Sequence, residues 1–292
     1  MAPVPRSRNV PPPVQQPREG RHQERTGPDT PDFPDSSLTV PPGVVYVEFG
    51  NQFFRFHSGG TATRNYEAAA LIRVGVWSEF ELRFYGAPYV NQFDRVGPAP
   101  VVQIVQRRNP RTGRVSSTRA VIPSTSDSGP TSGLSPLGIG FKKTFWKEQD
   151  DSPLPGFGLE AGTTIPMGNP AFNNGFALPY LAFNFDKSIG ELFDLNITYT
   201  PGYNVGDDNN RFIQHIFQWS FSKEFDGLKG VDFFTHGYAG WPGSSSHRQD
   251  VVVGWGAVWY PTKRLALDVS FDLGLTTTVP KQAYRFGIST AY

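Results

Sequence analysis

The sequence predicts an all-β fold, a transmembrane antiparallel up-and-down β-barrel of about 12 strands that follows a disordered N-terminal tail. Two observations lead to this prediction. Polar and apolar residues alternate along most of the chain, and the last residue is aromatic and ends such a segment. Successive side chains of a strand point to opposite faces, so alternation provides one lipid-facing and one lumen-facing side. A closed barrel also satisfies every backbone hydrogen bond within lipid.

The composition favours strands and excludes several kinds of site. Gly, Phe and Tyr are abundant, with 31, 24 and 11 residues, and they are typical of strands and turns. The chain has no cysteine, which excludes disulfides, thiolate zinc sites and cysteine nucleophiles. Its 27 basic and 26 acidic residues give a net charge near zero, so nucleic acid is not predicted as a partner.

The chain divides into a tail and one ordered domain. Residues 1–42 are rich in Pro, Arg, Gln and Ser, and they bury too little apolar surface to offset their conformational entropy. We predict a disordered Pro-rich tail, either a solvated spacer or a docking segment for the cell wall or a partner protein. Residues 43–292 form the predicted outer-membrane barrel. Within it, 91–132 is a predicted long external loop that could hold a small strand at 101–105.

The predicted location is the bacterial outer membrane. The first residues, Met-Ala-Pro-Val-Pro-Arg, lack the apolar core of a secretory signal. Because an outer-membrane protein must be exported, we expect that a leader was removed from this sequence or that the start site is misassigned.

Alternation predicts twelve strands. In order they span about 44–56, 65–77, 79–90, 136–146, 154–167, 176–186, 192–203, 211–225, 231–240, 249–260, 265–275 and 284–292. Strands 1 to 3 alternate Val, Ile, Ala or Phe with Glu, Arg or Gly, and strands 4 and 5 alternate Leu, Ile or Phe with Gly, Lys, Glu or Thr. Strands 7 and 8 set Phe, Ile and Trp against Asp, Asn, Gln and Ser, whereas strand 9 alternates poorly. Most connections after even-numbered strands are short, and those after strands 3, 5, 7 and 9 are longer, as a bacterial barrel requires.

The last two predicted strands alternate most strictly. In strand 11, Leu, Val or Phe stands at every second position, and strand 12 repeats the pattern up to the final residue. Strand 12 must pair with strand 1 to close the sheet. Its apolar face predicts the signal that the barrel-assembly machinery reads, formed by Tyr284, Phe286, Ile288 and Tyr292.

Four segments, 41–50, 71–84, 133–142 and 158–168, resemble a known family, and 71–84 (Leu-Ile-Arg-Val-Gly-Val-Trp-Ser-Glu-Phe-Glu-Leu-Arg-Phe) is the most distinctive. With the closing strand pair, they resemble the outer-membrane barrels associated with transport in the meta-pathway of phenol degradation. The likeness runs from about residue 35 to the end. It implies an outer-membrane barrel that passes small, often aromatic, molecules. The missing leader, the long tail and Tyr292, where Phe is commoner, depart from the family pattern.

Polar residues on the inward faces would line the lumen. They are Glu48, Glu67, Arg73, Glu81, Arg83, Lys142, Glu160, Asp194, Asn196, Asp268, Asp272 and Arg285. Charges within the membrane span are costly unless they are paired or hydrated. The set therefore has two interpretations, a ladder of ion pairs that closes the interior or a polar pathway that selects solutes. Glu67, Arg73, Glu81 and Arg83 lie on neighbouring strands 2 and 3, and we expect them to be paired.

No catalytic, metal or cofactor site is predicted. The Ser-Ser-Ser-His run at 244–247 lies in a predicted loop and lacks the Gly-Xaa-Ser-Xaa-Gly elbow of a hydrolase. The histidines show no metal-ligand spacing, and phosphate-loop, dinucleotide and EF-hand patterns are absent.

We therefore predict a channel or transporter for small, hydrophobic or aromatic solutes, with outer-membrane lipid, the barrel-assembly machinery and the solute as partners. The main alternative is a structural or adhesive barrel with a closed, charge-paired lumen. A membrane hydrolase and a soluble β-sandwich are disfavoured, and the oligomeric state stays open.

Overall fold

The computed structural model describes residues 27–29, 34–58, 61–96, 99–108, 115–124, 130–149, 152–172, 175–190, 192–205, 211–225, 227–243 and 249–292. The strands in these residues are β1 Val45–Ser58, β2 Thr61–Trp77, β3 Phe80–Val96, β4 Ala99–Arg108, β5 Val115–Ser124, β6 Thr131–Gly133, β7 Leu137–Trp146, β8 Gly156–Ile165, β9 Leu178–Ile189, β10 Phe193–Val205, β11 Arg211–Glu224, β12 Val231–Pro242, β13 Asp250–Thr262, β14 Leu265–Gly274 and β15 Gln282–Ala291. A short 3-10 turn spans Pro170–Phe172. No helix among the described residues is long and apolar enough to cross a membrane.

Twelve strands close into one antiparallel barrel, which confirms the predicted fold class. The sheet order is β2-β1-β15-β14-β13-β12-β11-β10-β9-β8-β7-β3, and β2 also pairs with β3 to complete the ring. As predicted, the last strand pairs with the first. The Tyr292 N–H donates to the Val45 carbonyl at 2.9 Å, and the Val45 N–H donates to the Tyr292 carbonyl at 3.2 Å. The edges that an open sheet would leave unpaired are therefore joined.

Large apolar side chains cover the outside of the barrel, and polar side chains fill the inside. On β1, Phe49 and Phe53 are exposed whereas Glu48 is buried. On β15, Phe286 is exposed and Ser289 is buried. This pattern is the reverse of a water-soluble sandwich and suits a surface that contacts lipid.

The two ends of the barrel differ. The connections β2–β3 and β13–β14 are two-residue turns at the end that also holds both ends of the sheet, Val45 and Tyr292. The other end carries the connection from β3 to β7, which includes β4, β5 and β6. Because barrels of this class have short periplasmic turns and longer outer loops, we name these the periplasmic end and the external end.

The predicted loop 91–132 differs from the observed chain. β3 continues to Val96, β4 and β5 pair with each other as a hairpin, and β6 pairs with β3. The small strand proposed at 101–105 lies within β4. The prediction missed the rest because Ser, Thr and Arg dilute the β-branched residues of this hairpin, which resembles a polar loop in composition.

Residues 27–29 and 34–42 of the predicted tail are described, and we call them the N-terminal segment. They lie inside the periplasmic half of the barrel. Pro34, Ser37 and Val40 are fully buried there. Composition could not show this because the segment is held mainly by polar contacts rather than by apolar burial. Residues 1–26 and 30–33 lie outside the described part of the chain.

Two wall glycines leave room for the N-terminal segment. A Cβ atom on Gly75 of β2 would lie 2.0 Å from the carbonyl oxygen of Pro41. A Cβ atom on Gly158 of β8 would lie 2.5 Å from the carbonyl oxygen of Ser37. Both contacts are with backbone, which cannot rotate away as a flexible side chain would. These glycines are therefore required by the close approach of a second chain segment.

Candidate functional site

The structure places the predicted lumen residues in two groups. Eight are buried: Glu48, Arg73, Glu81, Arg83, Lys142, Glu160, Asp268 and Asp272. Four are half-buried: Glu67, Asp194, Asn196 and Arg285. Their roles in solute passage remain predictions, but their contacts divide the lumen into distinct layers.

Three cations form the centre of the periplasmic layer. Arg73 Nε lies 3.0 Å from Glu81 Oε1, and its NH1 lies 3.4 Å from Glu48 Oε1. Arg83 forms an ion pair with Glu160. Lys142 of β7 stands opposite Glu81 of β3 and Glu160 of β8 in the strand register.

The expected pairing within strands 2 and 3 is only partly realised. Arg73 and Glu81 are in contact, and Arg83 NH1 lies 3.8 Å from Glu81 Oε1. Glu67 has no direct contact with these three residues. It lies in a different layer because it is six residues nearer the external end of β2 than Arg73, opposite Gln52 of β1. Membership of neighbouring strands therefore did not predict which charges meet.

Asp29 of the N-terminal segment joins the three cations. Its carboxylate oxygens lie 2.7 Å from Lys142 Nζ, 3.1 Å from Arg83 NH1 and 3.4 Å from Arg73 NH1. Burial raises the pKa of Asp29, but the positive charges of Arg73, Lys142 and Arg83 outweigh this effect. The net result is a pKa well below the ordinary value, so Asp29 is ionised in the lumen.

Further polar contacts hold the rest of the segment against the wall. The Val40 N–H donates to Glu81 Oε2 at 2.7 Å, and Lys142 Nζ donates to the Ser36 carbonyl at 2.9 Å. Two strands farther round the wall from Lys142, Asp186 of β9 accepts hydrogen bonds at 2.7 Å from both the N–H and the hydroxyl of Ser37. The segment thus contacts both β7 and β9 within the lumen.

Asp186 was not among the predicted lumen residues. It stands at the end of the sixth predicted strand, and its alternation phase matches that of the buried Asn184. Asp186 is two residues after Asn184, so the same alternation could have predicted that its side chain faces the lumen. The three hydrogen bonds that it accepts from Ser36 and Ser37 depend on the threading of the N-terminal segment, which alternation does not encode.

Buried side chains occupy much of the inward wall around this layer. Most barrel strands contribute one, and the set is Glu48, Arg73, Glu81, Lys142, Glu160, Asn184, Thr198, Ser220, Ser270 and Ser289. Their low accessibility shows that these side chains are covered by neighbouring groups in this state.

A second charged group lies nearer the external end. His236 Nε2 is 2.7 Å from Asp272 Oδ1, and Arg285 NH2 is 3.0 Å from Asp272 Oδ2. Gly254 of β13 lies between these strands, and a Cβ atom there would be 2.2 Å from Asp272 Oδ1. The sequence reasoning missed His236 because its strand, β12, alternates poorly. The outer face of β12 carries Thr, Gly and Ala beside its aromatic residues.

A cavity of about 400 Å³ opens between the external ends of β1, β2 and β3 and the β14–β15 loop, and we call it the external vestibule. It is lined by Phe54, Phe56, Thr63, Asn65, Gln92 and Pro280. The vestibule and the N-terminal segment occupy opposite halves of the barrel. The lumen thus has an accessible external part and a periplasmic part that holds the N-terminal segment.

The described residues contain no group of three His, Asp or Glu side chains placed to hold a metal ion. The Ser-Ser-Ser-His run at 244–247 lies outside them. The residues predicted as the assembly signal, Tyr284, Phe286, Ile288 and Tyr292, are exposed on the outside of β15 or at its end.

The family model described as "Putative MetA-pathway of phenol degradation" matches residues 28–292. The chain belongs to this family. The match begins next to Asp29, so it includes all of the N-terminal segment except residue 27. No curated protein matches the chain significantly.

Solved structures share the fold. An outer-membrane channel from Pseudomonas putida F1 is 15% identical with a TM-score of 0.57, over 88% of this chain and 98% of that one. The KdgM porin is 11% identical with a TM-score of 0.43, over 85% and 99% of the two chains. The CymD monoaromatic hydrocarbon channel is 10% identical with a TM-score of 0.41, over 86% and 88%. Family and fold agree with the predicted location, the bacterial outer membrane.

Proposed function

We propose that the protein is an outer-membrane channel for small solutes and that its N-terminal segment closes the lumen in this state. The observation that carries the proposal is the position of Asp29. Its carboxylate lies among three wall cations, and it attaches the N-terminal segment to a part of the wall whose inward side chains are mostly buried. A lumen closed by a separate chain segment can open without unfolding the barrel.

The contacts of the N-terminal segment suit a reversible closure. The wall cations Arg73, Arg83 and Lys142 have wall carboxylates beside them even without the segment: Glu48, Glu81 and Glu160. Release of the segment would therefore leave the wall charges compensated, and water could replace its hydrogen bonds. Each such bond contributes only about 0.5–1.5 kcal/mol net, because water competes for both partners.

The proposed solutes are small and hydrophobic or aromatic. The family description refers to phenol degradation, and the external vestibule presents the rings of Phe54 and Phe56 to the lumen. The same lumen offers no described metal group, and the similar structures are channels and porins rather than enzymes. We therefore propose passage of solutes without a catalysed reaction.

The buried lumen also favours a second candidate, a structural or adhesive barrel that never opens. In that case the ion pairs around Arg73 and Arg83 stiffen the interior, and the N-terminal segment is a permanent part of it. The two candidates make opposite predictions for the barrel without this segment.

Conductance distinguishes the candidates. The full chain and a variant that lacks residues 1–42 are reconstituted in planar bilayers and in liposomes for swelling assays. Heat-modifiable gel mobility confirms that each forms a closed barrel. We expect low, intermittent conductance for the full chain and steady conductance for the variant, and a peptide of residues 27–42 added on the periplasmic side should restore closure.

Each other result has a definite meaning. If the folded variant and the full chain both pass nothing, the channel proposal fails and the structural barrel stands. If both conduct equally, the channel stands but the N-terminal segment does not close it.

A further inference from the structure

The external vestibule presents aromatic rings to an accessible part of the lumen. Other inward apolar side chains, such as Leu71, Phe234 and Val258, are buried against their neighbours, whereas the inward rings at the end of β1 border an open cavity. Phe54 and Phe56 line the vestibule, whereas Arg55 between them is exposed on the outside. An inward pair of aromatic rings does not contribute to the lipid-facing surface. Their place in an accessible lumen cavity points to a ligand.

The size of the vestibule suits a small ring. Its volume is about 400 Å³, and an apolar cavity of about 150 Å³ is enough for benzene in a protein interior. Pro280 adds an apolar side chain beside β1, since the next residue, Lys281, donates its N–H to the Arg55 carbonyl, and Asn65 and Gln92 add amide groups. Apolar walls with a few polar groups are typical of small-molecule sites.

A carboxylate lies directly below this cavity. Glu67 follows Asn65 on the same face of β2, about 7 Å deeper at roughly 3.3 Å per residue. It stands opposite Gln52 of β1 and Val90 of β3, one inward position beneath Phe54 and Gln92. Glu67 is not one of the residues that line the cavity, but it occupies the next inward position below two that do, Asn65 and Gln92.

Glu67 lacks a direct partner among the described residues. Its side chain is half-buried and makes no hydrogen bond or ion pair with them. Arg285 acts on it at longer range, and the Arg285 guanidinium contacts Asp272 at 3.0 Å. Partly burying a carboxylate without a hydrogen-bond donor is unfavourable, so a ligand that donates to Glu67 gains from the contact.

We propose that the external vestibule is a binding subsite for a small neutral aromatic molecule that carries a hydrogen-bond donor, with Glu67 as the acceptor. The ring packs against Phe54 and Phe56, and its hydroxyl or amino hydrogen points inward to the Glu67 carboxylate. An aromatic carboxylate is disfavoured because it would bring a second anion to the same place. This subsite rests on the proposed function, since it would receive solutes before the closed layer.

Fluorine NMR titration of the purified full chain in detergent tests the subsite. The probes are 4-fluorophenol and 4-fluorobenzoate, with empty micelles as the background for partitioning. We expect the phenol to bind at least about fivefold more tightly than the benzoate. Glu67→Ala should weaken phenol binding about tenfold and abolish most of this discrimination, and Phe54→Ala should weaken binding of both probes.

Phe53→Ala is the matched control because Phe53 is the neighbouring ring on the lipid side, where it is 46% exposed. It should bind both probes as the wild type does.

Normal phenol binding in folded Glu67→Ala and Phe54→Ala would overturn the subsite proposal, as would equal losses of binding in Phe53→Ala and Phe54→Ala. If the chain conducts in bilayers but these variants bind the probes normally, the channel proposal stands and the subsite proposal fails. If the chain never conducts but Glu67→Ala loses phenol binding, the subsite proposal stands and the channel proposal fails.

Discussion

Asp29 lies 2.7 Å from Lys142 Nζ, although 113 positions separate the two residues in the sequence. The contact joins a segment that precedes the barrel to the seventh strand of the chain. It brings a carboxylate into a part of the lumen that already holds Arg73 and Arg83. The state of the lumen therefore depends on a segment outside the sheet.

The first prediction concerns this contact. Asp29→Asn removes the negative charge but keeps the shape, so the ion pairs with Arg73, Arg83 and Lys142 are lost. We expect the closed state to weaken by about 1–3 kcal/mol, which is roughly a 5- to 150-fold shift toward open. Single-channel recording measures the open fraction. Asp250→Asn is the control, because Asp250 contacts Gln214 near the external end, and an equal effect there would contradict the prediction.

The pH dependence of this contact follows from the low pKa of Asp29. A carboxyl whose pKa is lowered in the folded state stabilises that state above its unfolded pKa of about 3.9, and the contribution is lost as the pH falls through the folded value. The difference in open fraction between wild type and Asp29→Asn should therefore stay constant from pH 8 to about pH 4.5. Recordings at steps across this range measure it. A difference that vanishes near pH 6 would show that Asp29 is not held ionised by the three cations.

The wall glycine Gly75 provides a test that changes no charge. Gly75→Ala would place a methyl group 2.0 Å from the Pro41 carbonyl oxygen, so the N-terminal segment must move. We expect increased conductance with an intact barrel, measured by the same recordings and by gel mobility. Gly50→Ala on β1 is the control, because a Cβ atom there meets nothing within 4 Å. Unchanged conductance in both variants would mean that the segment does not limit passage.

The final residue tests the assembly signal. Tyr292 is 73% exposed, and its backbone pairs with Val45. Tyr292→Asp keeps that backbone pairing but places a charge at the membrane–water boundary, where aromatic rings are favoured. We expect expression without membrane insertion, measured by fractionation and protease protection, whereas Tyr292→Phe should insert normally. Normal insertion of Tyr292→Asp would contradict the prediction that Tyr292 is part of the assembly signal.

Closure of the sheet predicts resistance to detergent. Because β1 pairs with β15 and β2 with β3, the described barrel has no open edge at which SDS could begin to separate the strands. The unboiled chain should migrate faster than the boiled chain on SDS gels. A single band at the same position with and without boiling would contradict a closed barrel.

Much of the fold followed from the sequence because alternation is a local property. The position of Glu48 between Val47 and Phe49 was enough to predict an inward carboxylate, and the structure buries it. The strict pattern of the last strand predicted its pairing with the first. β12 was predicted with less support, since glycine and alanine weaken its outer face, yet its neighbours hold it in register.

The sequence by itself determined the class of fold, the approximate strands and the side of the wall on which most charges lie. Only the tertiary structure decided which charges meet, because strand register and stagger place Arg73 beside Glu81 and leave Glu67 in another layer. It also decided that residues 27–29 and 34–42 enter the lumen, since a segment without periodicity carries no local signal of the surface it contacts. Periodicity reports the face of a strand, whereas the position of the N-terminal segment in the lumen arises from contacts between distant parts of the chain.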